Sequence, residues 1–227
     1  MTVRRPARTP LHAAALPNPL LPTTGHNLDV RDPAPLLAQA LQDWGGRSDL
    51  WVFGYASLIW RPDFDFTERH LAQVHGWHRS LQMWSHINRG SPECPGLVFA
   101  LLAGGSCLGV VFRVPRKKAH DTLVRLWARE MPGGVYDPRW LNCSTEIGNV
   151  RALAFTLSRQ SRSFTGPLSD AQYRSVFARS EGCYGTTIDY ARQTYGSLLE
   201  HGIADAALER VLKLAEPLPQ AAPSLSR

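Results

Sequence analysis

Residues 50–64 read LWVFGYASLIWRPDF. The apolar run at residues 50–53, closed by Gly54, is typical of a buried strand. Ala56 and Ser57 follow, and small side chains allow backbone N–H groups to come close to a bound carboxylate or amide oxygen. The stretch therefore predicts a strand that leads into a sharp turn. Spacing alone leaves two interpretations of that turn, an anion-binding site or an ordinary strand exit.

Strand patterns continue on the C-terminal side of this stretch. Residues 71–84 predict one or two strands broken at Gly76, and residues 149–157 predict another strand. Two further β-type runs, at 97–102 and 107–114, flank a segment of small residues that contains Gly104 and Gly105. We therefore expect a β-hairpin that turns at these two glycines.

Helical spacing of apolar residues predicts helices on both sides of the strands. One helix begins near Pro33 and ends at Gly45, and another covers residues 116–129. A capping box formed by Ser169 and Gln172 starts a third helix, and two more cover residues 187–201 and 204–214. Because strands dominate the middle and helices the end, without regular alternation, the pattern predicts an α+β fold.

The chain of 227 residues is long enough for one substantial core. We expect a single domain at residues 33–216. Repeated prolines interrupt the basic and apolar residues that precede it, so residues 1–32 are predicted to be a disordered or loosely packed leader rather than a targeting segment. Residues 217–227 are predicted to form a frayed tail.

Composition argues against several classes of partner. The net charge is +6, but the basic residues are spread along the chain, which argues against nucleic-acid binding. There is no apolar run long enough to cross a bilayer, so no membrane partner is expected. The four cysteines are widely separated and never form a C-x-x-C pair. This pattern argues against a zinc knuckle and favours a reducing compartment, the cytoplasm.

Glu130 is the acid that the helical pattern singles out. It follows Leu126 by four residues and Leu123 by seven, so it continues the apolar side of the helix predicted at residues 116–129. Loss of hydration and the negative end of the helix dipole both raise the pKa of such a carboxyl group. A raised pKa suits a general acid/base. A salt bridge to Arg129, Arg125 or a remote arginine is the alternative interpretation, and spacing alone slightly favours it.

Other catalytic patterns are weak. Four histidines, at positions 70, 75, 78 and 86, lie close together in the sequence, but no carboxylate pattern accompanies them, so no metal site is predicted. Ser57 lacks the G-x-S-x-G context of a serine nucleophile, and no phosphate-binding loop of the G-x-x-x-x-G-K type is present.

Residues 52–64 closely resemble V-F-G-Y-G-S-L-I-W-x-P-D-F, the opening motif of the ChaC-type, glutathione-specific γ-glutamylcyclotransferases. The resemblance continues through shorter segments at residues 76–79, 85–90, 95–97, 109–114, 129–130, 166–169 and 185–190. It covers about residues 51–214, so the predicted leader and tail lie outside it.

The resemblance implies a small mixed β-barrel flanked by helices that acts on glutathione without a metal or organic cofactor. The products would be 5-oxoproline and cysteinylglycine, and the family's catalytic glutamate corresponds to Glu130. The family's tyrosine corresponds to Tyr190, although residues 183–187 depart from the commoner P-S-G-x-N. The loop that holds the γ-glutamyl unit corresponds to Val52, Phe53, Gly54, Tyr55, Ala56, Ser57 and Leu58.

Two questions stay open at the level of sequence. The substrate could instead be another γ-glutamyl amide, or the chain could be a non-catalytic protein that binds glutathione or regulates transport. Ala56 also replaces the family's glycine. If that position needs a positive φ, alanine is strained; if φ is negative, the methyl group only narrows the pocket.

Overall fold

Five strands form a closed barrel in the computed structural model, which describes residues 31–216. The strands are β1 (Leu50–Gly54), β2 (Glu68–Ser85), β3 (Gly96–Val114), β4 (Asp137–Thr145) and β5 (Gly148–Thr156), and their order around the barrel is β1-β3-β2-β4-β5. All neighbours are antiparallel except β1 and β5, which run parallel. Two short strands, β6 (Glu181–Gly182) and β7 (Gly185–Thr186), pair separately.

Six helices surround the barrel within the same residues. They are α1 (Ala34–Trp44), α2 (Ser57–Trp60), α3 (Arg116–Glu130), α4 (Asp170–Arg179), α5 (Thr187–Glu200) and α6 (Ala206–Lys213). The capping box of Ser169 and Gln172 is present at the start of α4. The predicted α+β fold, a mixed barrel flanked by helices, is therefore confirmed. Most of the predicted leader, and the tail at 217–227, lie outside the described residues.

The hairpin predicted around Gly104 and Gly105 is wrong. β3 runs without interruption from Gly96 to Val114 and pairs along its length with β2. Both glycines have positive φ, 102° and 73°, and they lie opposite Gly76 of β2, where the register between the two strands shifts. Glycines with positive φ serve β-bulges as well as tight turns, and here they form an irregularity inside a long two-stranded ribbon.

The barrel encloses an apolar core that fixes the ends of β1 and α3. Phe53, Phe112 and Phe155 are fully buried within it. Helix α3 buries the side that carries Leu123 and Leu126, as its spacing predicts. Between residues 31 and 216, no helix has the length and apolar character that crossing a membrane requires.

Candidate active site

A small cavity lies where β1 ends and α3 ends. Its volume is about 20 Å³, enough for a water-sized group. A larger cleft of about 820 Å³ shares four lining residues with this inner cavity and so adjoins it. The shared residues are Ser57, Glu130, Tyr136 and Tyr190.

Glu130 is the only carboxylic acid that lines the inner cavity, among the residues described. It is the last residue of α3, and its side chain is 16% exposed. The Arg129 Nε atom lies 3.0 Å from Glu130 Oε1, so the ion pair considered as an alternative is present. Oε1 is nevertheless buried without a well-aligned hydrogen bond from any residue between 31 and 216.

Burial raises the pKa of Glu130, and this effect outweighs the opposing charge of Arg129; the negative charge of Asp63 raises the pKa further. The ion pair and the raised pKa therefore coexist. Arg129 offsets the negative charge of Glu130 only weakly, because its guanidinium also binds other acceptors. Its guanidinium also donates to Asp63 Oδ2 at 2.8 Å and to Ser57 Oγ at 3.2 Å.

The predicted substrate loop divides into two parts. Val52, Phe53 and Gly54 belong to β1 and do not line the cavity. The next four residues, Tyr55, Ala56, Ser57 and Leu58, do line it.

Ala56 has φ −144°, outside the left-handed region, so replacement of the family's glycine does not strain the backbone there. Ala56 is buried and lines the inner cavity. The sequence left two outcomes for this alanine, backbone strain or a narrower pocket. The structure shows the second, because the Ala56 methyl group narrows the pocket.

Arg79 of β2 supports this loop from behind. Its Nη1 donates to the Tyr55 carbonyl at 2.7 Å and to the Leu108 carbonyl at 3.1 Å. Its Nη2 lies 2.8 Å from Asp205 Oδ2, and the Arg79 side chain is only 5% exposed. Asp205 in turn accepts from the Leu208 N–H at the start of α6. A single buried cation thus ties the loop, β3 and α6 together.

Three tyrosines surround the acid. Burial raises the pKa of Tyr190 to about 12 and that of both Tyr55 and Tyr136 well above the usual value, and the negative charge of Glu130 adds to all three. Each phenol is therefore neutral near pH 7, able to donate a hydrogen bond and poorly suited to act as a base. The Tyr55 hydroxyl already donates to the Phe155 carbonyl at 3.0 Å.

The structure brings Glu130 and Tyr190 together as the resemblance implies, and it adds residues that sequence reasoning missed. Tyr136 lies between α3 and β4, a strand for which no pattern was identified. Phe99 and Phe155 line the cavity from β3 and β5, and each is indistinguishable in sequence from a core residue.

The cleft carries an excess of positive charge. Of the described residues, four arginines but only two acids, Asp63 and Glu130, line it. The arginines are Arg61, Arg89, Arg125 and Arg129. No group of three or more histidine, cysteine, aspartate or glutamate side chains that could hold a metal ion occurs within residues 31–216.

A family described as ChaC-like protein matches residues 50–217 of the sequence. The chain belongs to the ChaC-like family. The matched region contains the whole barrel, the inner cavity and the cleft.

Relatives of this ChaC-like chain carry names that state an activity. It is 31% identical over 180 residues to the glutathione-specific γ-glutamylcyclotransferase of Escherichia coli strain K12, covering 79% of this chain and 78% of that protein. It is 29% identical over 158 residues to the human glutathione-specific γ-glutamylcyclotransferase 1, covering 67% and 71%.

A solved structure shows the same fold. The selenomethionine-labelled γ-glutamylcyclotransferase specific to glutathione from yeast superimposes with a TM-score of 0.68 at 21% identity. The superposition covers 74% of this chain and 96% of the yeast chain. The barrel with flanking helices is therefore the fold of this ChaC-like chain and of the yeast enzyme.

Proposed function

We propose that this ChaC-like chain cyclises the γ-glutamyl group of glutathione and releases 5-oxoproline and cysteinylglycine. The observation that carries the proposal is the position of Glu130, a carboxyl group of raised pKa in a cavity that adjoins a cleft rich in arginine. The E. coli and human relatives, whose names state this specificity, support the choice of substrate.

Glu130 moves the protons of the reaction from the attacking nitrogen to the leaving nitrogen. The α-ammonium group of the substrate must lose a proton before its nitrogen attacks the γ-carbonyl carbon, and the Glu130 carboxylate accepts that proton. The new C–N bond closes the ring and places negative charge on the γ-carbonyl oxygen. As the carbonyl re-forms, the bond to the cysteinyl nitrogen breaks, and protonated Glu130 gives its proton to that leaving nitrogen. The ring nitrogen still carries a second proton to lose; the regenerated Glu130 carboxylate accepts it and passes it to the amine of cysteinylglycine, which leaves as an ammonium group. A carboxyl group with a raised pKa suits proton transfer in both directions.

The surrounding hydroxyl groups orient the substrate and stabilise the negative charge that develops on it. Neutral Tyr190 and the Ser57 hydroxyl adjoin the acid and are hydrogen-bond donors for the developing oxyanion. The nucleophile and the carbonyl belong to the same molecule, so the adjoining cleft, with the inner cavity at its inner end, needs only to hold the γ-glutamyl arm in its folded conformation. The segment Tyr55 to Leu58 supplies one wall for that arm, with the narrowing methyl group of Ala56.

The decisive experiment compares glutathione turnover by the wild type and by Glu130→Gln. Purified protein is incubated with glutathione and with γ-glutamyl dipeptides, and 5-oxoproline is quantified. We expect the wild type to convert glutathione and Glu130→Gln to lose nearly all activity, because the amide can neither accept nor return the proton. Glu200→Gln is the matched control, since Glu200 is exposed at the end of α5 and lies outside the cleft.

Each other outcome has a defined meaning. Full activity in Glu130→Gln would remove Glu130 from the mechanism. Turnover of γ-glutamyl dipeptides alone would show that they, and not glutathione, are the substrates. If no substrate yields 5-oxoproline, the protein is a binding protein and not a cyclotransferase.

We also propose that the protein acts in the cytoplasm. Cys107 and Cys143 are free thiols buried in the core, and burial raises the pKa of both, Cys143 to about 12. Such thiols suit a reducing compartment.

A further inference from the structure

The exposure of the charged side chains increases outward along one wall of the cleft. Glu130 is 16% exposed, Arg129 is 23% exposed and Asp63 is 43% exposed. Arg61, one residue beyond α2, is 53% exposed. This gradient locates the inner end of the cleft at Glu130 and its mouth at Arg61.

Tyr184 stands on the other side of the mouth, in the turn between β6 and β7. Tyr184 is 58% exposed, and the Arg61 guanidinium carbon lies 5.7 Å from its ring centroid. This distance falls within the range of a cation–π contact. Main-chain hydrogen bonds fix the turn, because Cys183 and Tyr184 donate to the carbonyls of Ile87 and Asn88 at 2.9 and 3.0 Å. The tyrosine ring therefore holds Arg61 at the edge of the cleft.

Most of the donors of Arg61 are available to a ligand. Only its Nε group donates to another described residue, to the Asp63 carboxylate at 2.9 and 3.3 Å. Asp63 also accepts from Arg129, so two cations flank one anion and the local charge stays positive. The four N–H groups on the two terminal nitrogens of Arg61 form a fork that matches a carboxylate.

We propose that Arg61, held by Tyr184, binds the glycine carboxylate at the leaving end of glutathione. This inference rests on the proposed function, which puts the γ-carbonyl carbon beside Glu130. The cysteinylglycine arm is two residues long and reaches about 7 Å when extended. One turn of α2 separates Ser57 from Arg61, which is about 6 Å along the helix axis. With the γ-carbonyl group at the inner end of the cleft, the glycine carboxylate therefore reaches the mouth of the cleft.

The other cleft arginines are less suited to this carboxylate. The Arg89 guanidinium lies 4.9 Å from the ring centroid of Tyr190, an inner-cavity residue, and donates to the Tyr184 carbonyl. Arg129 is already engaged by Asp63, Ser57 and Glu130. Arg125 is exposed on α3, one turn before Arg129, and is the main competitor in the test.

The family motif supports a role particular to this chain. Arg61 occupies the unspecified position of W-x-P-D-F, and Tyr184 lies in the segment that departs from P-S-G-x-N. Together they would set which leaving group is preferred.

The test compares two substrates that differ only in the charge at issue, glutathione and its glycinamide analogue. Steady-state kcat and KM are measured for both substrates with the wild type, Arg61→Gln and Arg125→Gln. Lys117→Gln, an exposed cation of α3 outside the cleft, is the matched control.

We expect Arg61→Gln to lower kcat/KM for glutathione about tenfold, the size of one charge-assisted hydrogen bond, mainly through KM. For the glycinamide analogue, kcat/KM of the same variant should stay within about threefold of the wild-type value, because that substrate has no carboxylate for Arg61 to bind. Tyr184→Leu should lose part of the preference for glutathione over the glycinamide analogue. Tyr184→Phe should keep this preference, because phenylalanine retains the ring face that contacts Arg61.

Two results would overturn the assignment. One is an unchanged preference for glutathione over the glycinamide in Arg61→Gln, and the other is transfer of the whole effect to Arg125→Gln. A wild type that produces no 5-oxoproline from glutathione would instead refute the proposed function, so the two failures are distinguishable.

Discussion

Glu130 has a cation and an anion nearby, and their charges adjust a pKa that burial raises. Asp63 raises the pKa of Glu130 directly and also occupies the Arg129 guanidinium that would lower it. Removing the Asp63 charge therefore lowers the pKa of Glu130 by two routes. In the mechanism that we propose, the free enzyme needs the deprotonated carboxylate as base, so kcat/KM falls as pH drops through this pKa.

We expect Asp63→Asn to shift the acidic limb of the profile of kcat/KM against pH towards lower pH. Asparagine suits the positive φ of 58° at this position, so the backbone is preserved. Asp65→Asn is the control, since Asp65 is 73% exposed, pairs with Lys118 and lies outside the cleft. A limb that stays in place, or that moves towards higher pH, would contradict the stated electrostatics.

At the scale of elements, Arg79 joins β2 to α6 and to the predicted substrate loop. Its carboxylate partner Asp205 is 16% exposed, so loss of the arginine leaves a mostly buried, unpaired charge. We expect Arg79→Met to lower the free energy of unfolding by about 3 kcal/mol, as measured by urea denaturation. The kcat for glutathione should fall as well, because the Tyr55 carbonyl loses its donor.

Lys213→Gln is the matched control for this buried pair. Lys213 and Glu209 form an exposed pair on α6, with side chains 65% and 47% exposed, and water screens such pairs. The control should unfold at the same urea concentration as the wild type. Equal, small effects of the two substitutions would show that Arg79 does not stabilise the junction.

Local patterns predicted the helices better than the strands. The edges of α1, α3 and α4 follow from Gly45, from the apolar spacing up to Glu130 and from the Ser169 capping box, which are all short-range signals. The error at Gly104 has the opposite origin. Only the partner strand β2 distinguishes a bulge from a hairpin turn, and that partner is about thirty residues away in the chain.

At the scale of the whole molecule, the site depends on contacts that no local pattern encodes. Tyr136, Phe155 and Arg79 reach the cavity or its loop because the barrel closes, and each comes from a different part of the chain. Resemblance to a known family predicted Glu130 and Tyr190, whereas spacing alone favoured an ion pair for Glu130. The ion pair exists, and burial still dominates the pKa of the acid.

Closure of the barrel includes a short seam between β2 and β4. Only Gln73 and Val74 pair across it, with Ser144 and Cys143. Beyond these pairs, His70 of β2 reaches the turn between β4 and β5, where its Nδ1 lies 2.6 Å from Glu146 Oε1. On the other side, its Nε2 lies 3.3 Å from Glu68, which also pairs with Arg113 of β3. The ion pair of His70 with Glu146 thus links β2 to the β4–β5 turn at the end of this seam.

We expect this seam to weaken as pH rises. The hydrogen bond to Glu146 raises the pKa of His70 in spite of partial burial, and Glu68 adds to the effect. A raised pKa in the folded state means that the stabilisation is complete below the unfolded value, near 6.5, and is lost as pH rises through the folded value. The difference in Tm between wild type and His70→Gln should therefore shrink between about pH 6 and pH 8. His120→Gln, at a histidine that is 65% exposed and contacts only its chain neighbour Asp121 among the charged groups described, is the control variant. A difference for His70→Gln that is constant or grows with pH would mean that the charge of His70 does not brace the barrel.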